Sequence, residues 1–276
     1  MPELPEVEAL CRSLDEPVSA APVAHAGPAH LATLKTAEPP LDALDGRLLA
    51  GARRRGKRLL FPTRDGKLVL LVHLMSAGRL RLLSAKERRP TNPAFRLGFE
   101  NGTELVLIER GKRKRAGVWL LTPEAAEKSL AHLGPDALEL ERALLARLCA
   151  GERRRLHGFL RDQRVLAGIG RAWANEILHA ARLSPFALAS ELDAEALTRL
   201  DKAIRSELER GLALRERGLG DADVYRTHGK LGRPCHRCAT PIERVAFEEH
   251  TIYYYCPSCQ TGGRPLADRR LSRLLR

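Results

Sequence analysis

Four cysteines fall in two CxxC pairs, Cys235/Cys238 and Cys256/Cys259, separated by 17 residues. This matches the spacing of about 15–20 residues at which two knuckles bring four thiolates to one zinc ion. With thiolate at every position no coordination site is left open, so the metal is expected to be structural Zn2+, one per chain. His236 and His250 could compete as ligands, though less naturally. A second constellation runs from Gln163 to Glu176, where Gly168 and Gly170 open onto a predicted helix beginning at Arg171. Unpaired backbone N–H groups at such a positive helix end can hold a phosphate, although a tight turn alone would also explain the glycines. Arg153, Arg154, Arg155, Arg161, Arg164 and Arg171 place cations beside it; a solvated face would account for any one of them. The third candidate is the start, Met1-Pro2-Glu3, which in most proteins carries no chemistry. If Met1 is removed, Pro2 presents a secondary amine of much lower pKa than lysine, able to attack an electrophilic carbon and form an obligate iminium. Glu3 beside it could move protons at the same centre.

These residues need a scaffold and a partner. The chain has 276 residues, enough for one large domain or two ordinary ones. Its 47 Lys and Arg against 34 Asp and Glu leave a net charge of +13, which points to a polyanion such as nucleic acid or an anionic membrane. With 44% hydrophobic residues it can bury a core, which excludes wholesale disorder. No apolar run nears the roughly 18–20 residues of a membrane span, so no membrane association is expected. The acidic opening MPELPEVEAL is unlike a secretory signal, and a cytoplasmic protein is expected. Six cysteines are too few for a disulfide scaffold, and Cys11 and Cys149 read as ordinary thiols.

The first ~120 residues read mostly as strands. Asp65-Gly66 and Asn101-Gly102 each sit between apolar runs and accept the positive φ angles of tight hairpins. Residues 2–15 read as helix, and 16–46, rich in Pro and Ala, resist assignment. After Trp119, Thr122-Pro123 reads as an N-cap with proline at the first helical position. Gly134-Pro135 stops that helix, and from there to about residue 217 the chain is helical, with Leu197, Leu200, Ile204, Leu208 and Leu212 forming one apolar stripe. A Gly- and Arg-containing loop covers 218–234, and TIYYY at 251–255 suits a strand between the cysteine pairs.

Taken together, the sequence resembles the formamidopyrimidine-DNA glycosylase / endonuclease VIII family. The resemblance lies in MPELPEVE, Arg55-Gly56-Lys57, His73-Leu74 with Gly78, Leu133-Gly134-Pro135, the Gln163–Glu176 segment and the two CxxC pairs. It implies an α+β protein: an N-terminal β-sandwich with flanking helices, then a helix–two-turn–helix domain with a four-cysteine zinc-finger β-hairpin. The implied domains are a catalytic sandwich at 1–122, a linker helix at 123–134, the helical DNA-binding domain at 135–228, and zinc finger plus basic tail at 229–276. The partner implied is double-stranded DNA containing damaged bases or abasic sites, bound by a monomer in the cleft between domains.

By the same resemblance the enzyme is a base-excision DNA glycosylase with AP lyase activity. The damaged base is flipped out of the stack, Pro2 attacks C1′, Glu3 protonates the opening sugar, Glu6 supports the site, and Lys57 contacts a phosphate. DNA contacts fall to Arg55, Gly168, Gly170, Arg171, Lys114, Lys230, Met75, Ser76 and His250. Several positions depart from the family pattern. Arg171 stands where Asn binds phosphate, and Thr251 or His250 stands for the finger arginine. Ser76 aligns with the intercalating methionine, and Met75 lies one position earlier and so on the opposite strand face. Lys114 and Ala116 replace the Arg and Phe that enter the duplex; alanine cannot wedge between bases. The loop over 211–231 is short, and Arg264, Arg269, Arg270, Arg273 and Arg276 extend the tail. These departures keep a second reading open, a damaged-DNA-binding protein with weak or lost catalysis. A zinc-containing RNA-binding protein explains charge and cysteines but leaves the N-terminus unused.

Overall fold

The computed structural model describes residues 1–111, 113–247 and 251–267. Lys112, His250 and the tail residues Arg269, Arg270, Arg273 and Arg276 lie outside them. The chain divides into two compact units, residues 1–2 with 6–132, and residues 3–5 with 133–276. No helix among the described residues is long and apolar enough to cross a membrane.

The chain opens with helix α1 (Leu4–Ser19), longer than the 2–15 stretch and carrying Pro17 in its last turn. Eight antiparallel strands follow: β1 (Val23–Ala29), β2 (Arg53–Arg55), β3 (Arg58–Pro62), β4 (Val69–His73), β5 (Gly78–Leu83), β6 (Phe95–Phe99), β7 (Glu104–Glu109) and β8 (Gly117–Leu121). They form two four-stranded sheets ordered β1-β6-β7-β5 and β2-β3-β4-β8. Leu59, Phe61, Leu70 and Val72 of one sheet share a core with Phe95, Leu97, Leu105 and Leu107 of the other. Val7, Cys11, Leu14 and Val18 of α1 join it at helical spacing, so the first unit is a sandwich with a helix on its core. Both hairpin signals lie at turns, with a difference in turn chemistry. Within each dipeptide only the glycine, Gly66 or Gly102, takes positive φ (70° and 79°). Gly66 N–H donates to the Thr63 carbonyl and Gly102 N–H to that of Phe99, so each glycine closes a turn rather than forming half of a two-residue loop. Helix α2 (Pro123–Leu130) begins at Thr122, whose hydroxyl accepts from Ala125 N–H.

The second unit is helical: α3 (Arg142–Ala150), α4 (Leu156–Arg161), α5 (Arg171–Ala181), α6 (Ala194–Glu216) and the single turn α7 (Asp221–Val224). Leu200, Ile204, Leu208 and Leu212 of α6 are buried as their spacing predicts, with Leu197 packed at the margin. Strands β9 (Glu243–Phe247) and β10 (Thr251–Tyr255) pair between the cysteine knuckles, and α8 (Pro257–Thr261) closes the module. Cys11 and Cys149 are buried, and burial pushes both thiols up to about 11.

Candidate nucleic-acid and metal site

The turn joining α4 to α5 is built by one side chain. Gln163 donates through Nε2 to the carbonyls of Arg161 (2.8 Å) and Ile169 (2.7 Å), and its Oε1 accepts from Gly168 N–H (3.0 Å). The fold thereby aims the backbone N–H groups at the start of α5 into one spot. The occupant of that spot is Glu3: its carboxylate accepts from Gly170 N–H (2.8 Å), Ala172 N–H (3.0 Å) and Trp173 N–H (3.1 Å). The expectation of a phosphate at these donors is therefore corrected, because a carboxylate of the chain itself neutralises the helix end. The glycines are explained by proximity. Gly168 has φ +109° beside Leu4, and a Cβ on Gly170 would sit 2.3 Å from the Glu3 carboxyl carbon. Glu3 is 3% exposed, and half-buried Pro2 is bonded directly to it.

The arginines around the turn divide by their partners. Arg154 pairs with Asp162 (2.6 Å) and with Glu152, and Arg164 pairs with Asp162 (3.0 Å). These contacts, that from Arg164 foremost, hold the Asp162 carboxyl well below the usual range. Arg155 lies over the Phe186 ring at 4.2 Å, and burial lowers the half-buried Arg161. Arg153 and Arg171 are exposed, Arg171 on the first turn of α5.

In the sandwich unit Arg55 pairs with Arg58, leaving Gly56 and Lys57 as a two-residue turn with Gly56 at φ 58°. Lys57 is 7% exposed there, not one more solvated cation. Arg54, from the same basic run, is consumed by an ion pair to Glu8 of α1 (2.6 Å). Glu6 sits half-buried in the first turn of α1. His73 pairs with both Arg58 and Gly117 in the sheet. Burial first, then the charges of Arg58 and Lys57, push it down to about 4 from 6.5. A histidine that stays neutral when folded but takes a proton when unfolded weakens the fold as pH falls from about 6.5 to 4. The unfolding free energy should therefore decline over that window, by about 3 kcal/mol at most for this group, lowering the urea midpoint, and His73→Gln should flatten the decline. An unaltered decline in the variant would refute this assignment.

The proposed duplex-entering residues are placed differently from the sequence expectation. Strand β4 ends at His73, so Met75 and Ser76 lie in the 75–77 turn before β5 rather than on opposite strand faces. Both are exposed, Met75 at φ 50°. Ala116 is fully buried in the sandwich core, which removes it from any contact with bases. The Glu109 carboxylate folds this loop back by accepting from Arg115 N–H (2.8 Å) and Ala116 N–H (3.0 Å), while Lys114 Nζ donates to the Glu109 carbonyl. Lys230 Nζ donates to the Ala222 carbonyl (2.7 Å).

The cysteine knuckles converge. Cys238 Sγ lies 3.4 Å from Cys256 Sγ and 3.4 Å from Cys259 Sγ, and Cys235 Sγ lies 3.9 Å from Cys259 Sγ. Four sulfurs around zinc at ~2.3 Å stand roughly 3.8 Å apart, so the residues present fit that ion. Among the described residues the histidine that joins them is not His236 but His179, with Cys235, Cys256 and Cys259, their ligand atoms within 4.8 Å of one another. The sequence carried a usable signal for it. After Arg171, helix α5 is otherwise apolar, yet Asn175, Glu176 and His179 are buried on it, at 1%, 2% and 2% exposure. Each has a purpose: Asn175 Oδ1 accepts from Tyr254 N–H (3.3 Å), and Glu176 accepts from the N–H groups of Arg226 (3.0 Å), Thr227 (2.9 Å) and His228 (2.7 Å).

Comparison with known proteins agrees with this architecture. Residues 1–116 match the formamidopyrimidine-DNA glycosylase N-terminal domain, and residues 133–223 its H2TH domain. A formamidopyrimidine-DNA glycosylase of Moorella thermoacetica is 33% identical over 265 residues, covering 89% of this chain and 94% of that protein. An uncharacterized formamidopyrimidine-DNA glycosylase-like protein of Mycobacterium tuberculosis is 44% identical over 151 residues, 52% of this chain and 94% of that protein. The Lactococcus lactis Fpg structure with abasic-site DNA superposes with TM-score 0.85 at 22% identity, over 94% of this chain and 99% of that one. Fold, segment order and sequence agree: the chain belongs to the formamidopyrimidine-DNA glycosylase family.

Proposed function

We propose that the protein excises damaged bases from duplex DNA and cleaves the strand at the resulting abasic site. The observation that carries this reading is the immobilised Glu3 carboxylate, buried and fixed by three backbone donors immediately beside Pro2. Removal of Met1 exposes the Pro2 amine, which attacks C1′ of the flipped nucleotide as the glycosidic bond breaks and the base departs with a proton. The ring oxygen takes a proton relayed by Glu3, and C1′ becomes the carbon of an iminium. Loss of the C2′ proton then expels the 3′-phosphate, and hydrolysis of the imine returns Pro2. Lys57 steadies a phosphate beside the lesion, Glu6 supports the reacting end, and Arg171 takes the phosphate contact at α5. Arg55, Lys114, Lys230, Met75 and Ser76 are the further DNA-facing candidates. Bound zinc would be held by Cys235, Cys238, Cys256 and Cys259 and would supply structure, fixing the β9–β10 hairpin.

Borohydride reduction in the presence of abasic-site DNA is expected to trap a covalent adduct with the wild type and none with Pro2→Gly. A wild type that forms no adduct defeats the lyase assignment. The burial of Ala116 favours one second reading, a damaged-DNA-binding protein, since the loop behind Lys114 carries no wedge. Salt-sensitive binding to damaged duplex without strand scission would support it. Scission above background would dismiss it.

A further inference from the structure

The imidazole of His179 has no place in the base-excision scheme. It is 2% exposed on α5, and its Nε2 lies 3.2 Å from Cys235 Sγ, itself 3% exposed. From the structure we infer that His179 is a positioning residue for the metal centre, donating its Nε2–H to the Cys235 thiolate without ligating the ion. The inference rests on the zinc reading of the knuckles given above.

Three observations converge on it. Four thiolates around one Zn2+ carry a net charge of −2, and the sulfurs on its buried side, Cys235 and Cys256, call for N–H donors. The knuckles supply backbone donors, Arg237 N–H to Cys235 Sγ (3.5 Å) and Cys259 N–H to Cys256 Sγ (3.5 Å). His179 adds a closer, side-chain donor from a different element. Next, the cysteine set already closes a tetrahedron through Cys238, which leaves the imidazole a hydrogen-bonding place rather than a fifth ligand position. Finally, the surroundings lock the ring. The His236 ring packs against it at 4.9 Å, and Arg237 Nη1 donates to the carbonyls of His179 (3.4 Å) and Ala180 (3.2 Å). Residues 236 and 237 of the first knuckle thus clamp the end of α5 that presents the donor. The helix whose first turn is capped by Glu3 is gripped at its last turn by the metal module.

The test uses the full chain loaded with zinc, cobalt(II) or cadmium-113. His179→Phe should release zinc to a chromophoric chelator about ten-fold faster than wild type. His179→Gln, which keeps an N–H donor, should recover part of the difference. The cobalt spectrum should report four sulfur ligands in both wild type and His179→Phe, with the thiolate charge-transfer band displaced in the variant. If His179→Phe misfolds, the wild type alone decides: cadmium-113 should show a through-hydrogen-bond correlation to an imidazole N–H. Equal release rates with superimposable spectra, no such correlation, or a nitrogen-ligand signature in the wild type would each overturn the inference. A wild type that takes up none of the three metals overturns the zinc reading itself, a result distinct from the others.

Discussion

Glu3→Ala is expected to abolish strand scission at abasic sites, with a loss of about 10²–10⁴-fold, the range for a positioned proton-transfer group. It should also destabilise the second unit. The carboxylate accepts from Gly170, Ala172 and Trp173 N–H, and a buried donor left without a partner costs about 1–3 kcal/mol. Glu3→Gln separates the two effects. Oε2 serves both Gly170 and Trp173 while Oε1 serves Ala172. An amide can place its oxygen at the first position, but its NH2 then meets the Ala172 N–H. The glutamine variant should therefore keep more of its urea midpoint than the alanine variant while losing comparable single-turnover activity. Equal stability of all three proteins would mean that the Glu3 anchor is dispensable to the fold. Full activity in the glutamine variant would remove Glu3 from the chemistry.

Chelation of zinc under reducing conditions is the second large effect. Among the described residues the module's own core cluster is Cys235, Ile242 and Cys256, with Tyr254 and Cys259 packed at its edge. So small a cluster does not hold a hairpin unaided, whereas structural zinc contributes on the order of 10–16 kcal/mol in small finger modules. The metal-free chain should become cleavable by protease between residues 233 and 262, while the sandwich, with its own core, stays resistant. Binding to abasic-site duplex should fall by at least about ten-fold in parallel, and added zinc should restore both. Unchanged protease resistance after chelation would show that packing, not metal, secures the knuckles.

The local rules of the sequence carried far in some places and stopped in others for identifiable reasons. The α6 leucine stripe, the Thr122 cap and the cysteine spacing each encode one short-range interaction, and each stands in the structure. The glycine turn was legible as a place where N–H donors converge. Its occupant was not, because Glu3 and Gly170 are joined by a contact of long sequence separation that no local pattern records. Met75 was misplaced because alternation was extended beyond the true end of β4. Ala116 is where charge patterning says least: a basic loop reads as a DNA contact, yet the Glu109 carboxylate turns its end into the core. His179 shows the converse, one of three buried polar residues on α5, whose partner lies 56 positions onward.

The long-range tie between Glu3 and the start of α5 also sets an order of events during synthesis. A ribosome that has delivered the whole sandwich, through residue 132, has delivered Glu3 without the amides that hold it. At about 5–20 residues per second, several more seconds pass before residues 170–173 emerge. Over that interval a nascent chain whose amino-terminal proline is exposed lacks the fixed carboxylate beside it. On the proposed mechanism, chemical competence would therefore arrive late, with the second unit, and a chain truncated by premature termination would carry the proposed nucleophile without its anchored partner.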